Sequence, residues 1–275
     1  MPVNANTNPI ANPVANSALR ISPIRAFNDN YIWCLQNGST AVVVDPGDHK
    51  PVLAFLKEHR LNLSAILITH HHYDHTGGIL ALLEHYPEIN VYGPHNPNIQ
   101  GITHALREGD EIELKALALS FSVLETPGHT LDHIVYYDDT RLFCGDTLFS
   151  AGCGRMFEGT PEVFYRSLQK LASLPSHTQV YCTHEYTQAN IKFALSVEPN
   201  NSELNEHAQW VQTQRQHDRI TLPSTIQKES EINPFLRCHK PQLQQTVLNS
   251  AQSQTGNDAN ETTVFARLRS MKDSF

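Results

Sequence analysis

Ala65-Ile66-Leu67-Ile68 runs directly into Thr69-His70-His71-His72-Tyr73-Asp74-His75, and this stretch decides how the rest of the chain is read. A short apolar run with β-branched members, ending abruptly in polar residues, reads as a buried parallel strand. Such a strand releases the chain into a loop at the carboxyl edge of its sheet, where open α/β sheets place their ligands. In that loop His70 and His72 can face one metal ion while Asp74 and His75 turn toward another. His71 and Tyr73 are off the pattern and read as supporting residues.

The same arrangement recurs downstream. Phe121–Glu125 is followed by Thr126-Pro127-Gly128-His129, Arg141–Cys144 by Gly145-Asp146, and Val180–Cys182 by Thr183-His184. Ligand-bearing loops would then gather on one rim, with the donor set His70, His72, Asp74, His75, His129, Asp146 and His184. Imidazoles and carboxylates in that number suit two neighbouring divalent cations; zinc fits best, and iron and manganese are also admissible. The grouping gives meaning to a histidine count of 16, which scattered residues would not.

Around the loops, short β-rich runs alternate with helical stretches from Ile21 to about Val180. Strands are expected at Tyr31–Gln36, Thr40–Val44, Ala65–Thr69, Asn90–Tyr92, Leu117–Glu125, Ile134–Tyr137, Arg141–Cys144 and Gln179–Cys182. Helices are expected at Pro51–His59, Gly78–His85 and Pro161–Leu174, the last with Thr160 as cap and Pro161 at its first position. Beyond Glu185 helical periodicity takes over, in Gln188–Val197, Ser202–Asp218, Lys240–Gln252 and Glu261–Lys272. The expectation is an α/β layered catalytic domain over 21–184, a helical domain over 185–275, mobile connections within Thr246–Asn260, and a disordered extension over 1–20.

Bulk properties exclude several function classes. Twenty Lys+Arg against 28 Asp+Glu give a formal charge of −8, which argues against a nucleic-acid surface and leaves room for a local basic pocket. Mean hydropathy is −0.38 and no apolar run is long enough to span a membrane. Five scattered cysteines without a CxxC pair suggest neither a disulfide framework nor a thiolate zinc knuckle, so a reducing, cytoplasmic setting and a monomer are expected. Cys144 and Cys182 lie inside strand-like runs, Cys153 has no nearby base, and Ser150 lacks a GxSxG elbow, so covalent catalysis is rejected.

The pattern THxHxDH, with PGHT, GDTLF and THEYT downstream, resembles the metallo-β-lactamase superfamily, whose αββα sandwich is the expected fold. The resemblance implies that His70, His72 and His129 hold one ion, Asp74, His75 and His184 the other, and Asp146 bridges them. Within the superfamily, Ala151–Thr160, Thr183–Thr187, Asn233–Arg237 and Phe265–Phe275 resemble the glyoxalase II (hydroxyacylglutathione hydrolase) family, and the likeness runs from about Ile21 to the C-terminus. It implies hydrolysis of S-(2-hydroxyacyl)glutathione, S-D-lactoylglutathione giving glutathione and D-lactate, the second step of methylglyoxal detoxification. It also implies that the peptide is held by Arg155, Tyr186, Arg237 and Lys240, although each also reads plainly as a surface or packing residue. The family often has Tyr where this chain has Phe157, so a hydroxyl contact to the peptide would be missing.

Two cations about 3.5–4 Å apart can share a hydroxide, so no protein base is required. A thiol of pKa near ~8.5 departs without an acid, which suits a thioester better than an amide. Asp146 as bridge and Asp74 as ligand and orienting group are the expected catalytic carboxylates. The rival within the fold is a persulfide dioxygenase or a lactonase; a dioxygenase of this fold uses one iron, and the apparently complete second set of donors argues against it.

Overall fold

The computed structural model describes residues 19–249 and 260–275. Residues 1–18 of the expected extension, and 250–259 of the expected mobile connection, lie outside the described residues.

One sheet is ordered β1 (Arg20–Ala26), β2 (Asn30–Asn37), β3 (Thr40–Val44), β4 (Asn62–Leu67), β5 (Asn90–Pro94), β6 (His104–Leu106). Its first three strands are antiparallel and the rest parallel. The chain continues through β7 (Glu111–Leu114), β8 (Leu119–Glu125), β9 (Ile134–Tyr137) and β10 (Arg141–Gly145). A small hairpin of β11 (Leu148–Phe149) and β12 (Gly152–Cys153) precedes β13 (Gln179–Cys182) and β14 (Ser224–Thr225). The second sheet is ordered β14-β13-β10-β9-β8-β7.

Strict alternation makes the first sheet two-faced. Trp33, Leu35, Val42, Val44, Ala65 and Leu67 join Phe121, Val123 and Phe143 of the second sheet in the core between the sheets. Ile32, Cys34, Ala41, Val43, Ile66 and Ile68 point the other way, onto Val52 and Leu56 of α1 (His49–His59) and, beyond the single turn α2 (Tyr73–Thr76), Ile79 and Leu82 of α3 (Ile79–His85). Against the second sheet lies α4 (Pro161–Ala172), capped by Thr160, and beside it pack the helices that follow: α5 (Thr187–Val197), α6 (Ser202–Gln216), which rests on α5 and α7, α7 (Ile226–Ile232), α8 (Pro241–Asn249) and α9 (Glu261–Asp273). Phe164 of α4 meets Phe265 of α9 edge-on at 5.7 Å, which fastens the tail to the sandwich. The architecture is the expected αββα sandwich with a helical C-terminal part.

Strands β1, β6, β7, β11, β12 and β14 and helices α2 and α7 were not expected. Most are very short, and β1 carries Pro23, which sequence reading counts against a strand. Here β1 is the sheet's edge, where the missing amide costs no ladder bond.

Strand direction puts the four loops at one end. Strands β8 and β10 both run antiparallel to β9, hence alike, and β13 runs parallel to β10. The sheets are stitched there by Ile134 N donating to Thr69 O (2.9 Å), Tyr136 Oη to Ile68 O (2.8 Å) and Tyr31 N to Thr183 O (2.6 Å).

Candidate metal centre

The structure brings the seven expected donors together. Ligand atoms of His70, His72 and His129 lie within 4.8 Å of one another, and the same holds for Asp74, His75 and His184 and for His70, His75 and Asp146. Asp146 stands between the groups: its Oδ2 is 3.5 Å from His129 Nε2 and 3.3 Å from His184 Nε2, and its Oδ1 is 3.5 Å from His75 Nε2. Asp74 Oδ2 lies 3.4 Å from His184 Nε2 and 3.6 Å from His75 Nε2.

Hydrogen bonds behind the rings fix which nitrogen is bare. Thr69 Oγ1 gives its single proton to Asp45 Oδ2 (2.8 Å), so it must accept from His70 Nδ1 (3.1 Å), which leaves Nε2 of His70 with its lone pair. His129 Nδ1 faces the Arg155 carbonyl (2.7 Å), which only accepts, so its Nε2 is bare as well. That Nε2 lies 3.0 Å from His72 Nδ1. Two ring nitrogens this close need a proton or a cation between them. Carboxylates stand behind the other two rings, with His184 Nδ1 at 2.8 Å from Asp29 and His75 Nδ1 at 2.9 Å from Asp45. This carboxylate–imidazole pairing is how metal ligands are oriented and made more basic.

The fit to a metal is tested by atoms left without partners. His70 Nε2, His75 Nε2 and Asp146 Oδ1 are buried with no hydrogen-bond partner, an arrangement too costly for a core but natural for ligands. Protonation follows the same logic. Burial, reinforced by the neighbouring His75, pushes His70 well below the ordinary imidazole range. Burial also disfavours charge on His75 and His184, but Asp146 with Asp45 holds His75 well above that range, and Asp146 with Asp29 raises His184 to about 9. Asp146, against the pull of burial, is held well below the carboxylate range by His184 and His75. The residues present therefore fit cations.

Close backbone approach makes room for the cluster. Gly154 lies against the Asp146 carbonyl, where any side chain would overlap it, and Gly145 takes a φ of 48° with Thr69 and His133 where a Cβ would go. His133, fully buried and pushed to about 3 by burial and His129, accepts from the Asp146 amide (3.1 Å) and stacks on His70. Sequence reasoning missed Asp29, Asp45, Thr69 and His133. Asp45 follows strand β3 as the ligands follow theirs, a usable signal; Asp29 sits in a turn with none.

The four expected peptide contacts divide. Tyr186 stacks on His184 (4.6 Å, 5° between planes), and Arg155 lies exposed at the rim with its guanidinium 5.5 Å from the Phe157 ring. Phe157 itself stands edge-on to His72 and His129. Arg237 is committed elsewhere: its Nε and Nη2 bind both oxygens of Glu198 at 2.9–3.1 Å, and Nη1 donates to Ser230 O. Lys240 is exposed, with no ion pair to a rim loop. Of a second Arg and Lys three apart, the Arg reaches a rim turn. From α9, Arg269 donates to the carbonyls of Cys153 (3.1 Å) and Gly154 (3.3 Å), and Lys272, one turn on, is half-buried against Phe193 and Phe275.

Residues 27–184 match the sequence model of the metallo-beta-lactamase superfamily, and residues 185–275 that of the hydroxyacylglutathione hydrolase C-terminus. Two relatives named hydroxyacylglutathione hydrolase, from Aliivibrio salmonicida and Vibrio cholerae, are 52% and 51% identical over 258 residues, 94% of this chain and 100% of each relative. Among solved structures, that of ETHE1 from Myxococcus xanthus is similar with a TM-score of 0.60 at 25% identity, over 91% of this chain and 99% of that one. Likeness along nearly the whole chain, with the imidazole and carboxylate cluster at the sandwich rim, shows that this chain belongs to the hydroxyacylglutathione hydrolase family of metallo-hydrolases.

Proposed function

We propose that the protein hydrolyses S-(2-hydroxyacyl)glutathione thioesters, taking S-D-lactoylglutathione to glutathione and D-lactate as the second step of methylglyoxal detoxification. The observation that carries this reading is the cluster of bare imidazole nitrogens and buried carboxylate in a chain that matches relatives of that name over 94% of its length. That naming does not favour the dioxygenase or lactonase alternative.

The donors divide into His70, His72 and His129 for one cation and Asp74, His75 and His184 for a second, with Asp146 shared; zinc fits best, and iron and manganese are admissible. Divalent cations bound there supply Lewis acidity, which makes water nucleophilic near neutral pH and polarises an acyl oxygen. The chain's residues do the positioning. Asp146 is buried and held ionised between the two donor groups. Asp74, partly exposed and tethered by Asn30 Nδ2 (3.0 Å), offers its carboxylate on the open side to orient the attacking water. Water adds to the acyl carbon, the carbon–sulfur bond breaks, and sulfur leaves as thiolate; with a thiol pKa near ~8.5 it needs no proton from the enzyme.

Residues 21–184 form the catalytic domain and 185–275 the glutathione-binding domain. Arg155 and Tyr186 meet the peptide at the rim. For the remaining charge partner we prefer Lys272, with Arg269 fixing the Cys153–Gly154 turn, over Arg237 and Lys240, because Arg237 is already neutralised by Glu198. We read the protein as a monomer at work in the cytoplasm; its five cysteines are free and buried, which suits a reducing compartment, and no described helix is long and apolar enough to cross a membrane.

The test compares S-D-lactoylglutathione with a simple non-glutathione thioester, before and after chelation, with metal analysis. Preference for the glutathione ester, lost on chelation and restored by about two equivalents of metal, is expected. Equal rates on both esters would remove the glutathione reading, and activity that survives chelation would remove the metal.

A further inference from the structure

His71 sits between two proposed ligands in sequence, yet its ring turns outward to a different set of partners. Its Nδ1 lies 2.9 Å from Asp132 Oδ1, an oxygen that also accepts from Thr130 Oγ1 (2.7 Å), while Asp132 Oδ2 accepts from Asn96 Nδ2 (2.7 Å). Its Nε2 faces Glu158 Oε1 at 3.7 Å, and Glu158 Oε2 accepts from the Leu131 amide at 2.7 Å. One imidazole thus hydrogen-bonds the loop of residues 70–75 to the loop of 127–132 and lies beside Glu158, which itself ties the loop of 154–159 to Leu131.

The third loop is also tied to the second near its start, by His129 Nδ1 at 2.7 Å from Arg155 O, and further along by Phe157 N to His129 O and Gly159 N to Gly128 O, both 3.2 Å. It carries Phe157, more than half exposed, with its edge toward His72 (5.5 Å) and His129 (5.3 Å). A substrate whose reacting carbon reaches those rings must pass this face. The oxygens of Asp132 and one oxygen of Glu158 are already engaged by protein donors, which favours a brace over a cation site among the same three side chains.

We propose that His71 is a positioning residue for substrate: bonded to Asp132 and set beside Glu158, it steadies the 154–159 loop, so that Phe157 walls the substrate site beside His72 and His129. This rests on the function proposed above. His71→Ala should raise KM for S-D-lactoylglutathione about tenfold while kcat changes less than about threefold, the split expected when binding geometry rather than transition-state chemistry is lost. Metal content should stay at the wild-type value. His71→Asn, whose amide nitrogen can replace Nδ1, should restore the Asp132 arm and return KM part of the way.

Glu158→Ala should raise KM too, and the double variant should be no worse than the poorer single one, since coupled partners are not additive. An unchanged KM, additive effects, or metal lost from His71→Ala would each overturn the proposal, the last by showing that His71 serves the ligands or a cation of its own. Hydrogen exchange across 154–159 separates this idea from the function beneath it. If the wild-type protein leaves the thioester intact, the functional reading fails; the brace then stands or falls on whether His71→Ala speeds exchange in that loop with no substrate present.

Discussion

At the rim, His75, Asp146 and His184 are buried, and every one of them leans on another charged or polar group; in the helical tail, Arg237 and Arg269 are also largely covered, yet each is engaged by partners of its own. The rim is over-determined: removing Asp146 leaves buried His75 and His184 short of a counter-charge, a costly state. The tail is modular. Arg237 holds Glu198 and Arg269 holds the Cys153–Gly154 turn, while of their neighbours Lys240 is exposed and Lys272, half-buried, donates to the Ala189 carbonyl at 3.3 Å, a neutral partner that an anionic ligand can replace. Substitutions at the rim should therefore act on metal and turnover together, whereas those in the tail should act on substrate affinity alone.

The hardest blow to this contrast would be a mild phenotype at Asp146. Asp146→Ala removes the carboxylate between both donor groups, and kcat should fall by at least roughly 1,000-fold with metal content dropping below the wild-type value. If turnover persists with full metal, the rim is not a coupled unit.

Protons sharpen the same point. In the metal-free protein, burial opposes charge on His75 and His184, but their carboxylates win, so both are protonated near neutral pH, with His184 raised to about 9. Cation binding must displace those protons, so affinity should fall about tenfold per pH unit for each proton displaced as the pH is lowered. The chelated protein behaves in reverse. A raised folded-state pKa contributes stability that is complete below the unfolded value of about 6.5 and is lost as pH rises toward 9, so its melting temperature should decline across that window. Competition titrations at several pH values and melting curves of chelated protein check the two signs.

The contrast also explains what could be read in advance. The rim ligands follow β-rich runs closely, because strand direction delivers the ends of β8, β10 and β13 to one end of their sheet and the bonds from Ile134 and Tyr136 bring the end of β4 beside them. Their supports were harder to see. Asp29 gains its meaning from a contact 155 residues away, and Asp45 was passed over although it follows β3 just as Asp146 follows β10. The tail offers two Arg-x-x-Lys spacings, Arg237–Lys240 and Arg269–Lys272, and spacing cannot choose between them; the packing of α9 on α4 favours the second, by carrying Arg269 to the Cys153–Gly154 turn.

That choice is directly testable. Lys272→Ala should raise KM by about 10-fold or more, the worth of a charge-assisted hydrogen bond, with kcat little changed, whereas Lys240→Ala should leave both constants near wild type. The reverse result would return the peptide to Arg237 and Lys240 and would mean that Arg237 exchanges Glu198 for substrate. Steady-state kinetics on the two variants, side by side, distinguish the cases.

The smallest effect belongs where the two regions meet. Phe157 projects from the rim loop beside His72 and His129 and carries the Arg155 guanidinium at 5.5 Å, but it has no polar atom to offer a peptide. Phe157→Tyr adds one hydroxyl to an exposed ring edge without enlarging any buried volume, so neither folding nor metal binding should change. A neutral hydrogen bond contributes about 0.5–1.5 kcal/mol, which corresponds to a KM lowered by roughly two- to tenfold with kcat held. A fall in kcat would place the ring in contact with the reacting acyl group; an unchanged KM would mean that the peptide never touches this face, and the wall assigned to Phe157 would have to be moved to Tyr186 on the other side of the cluster.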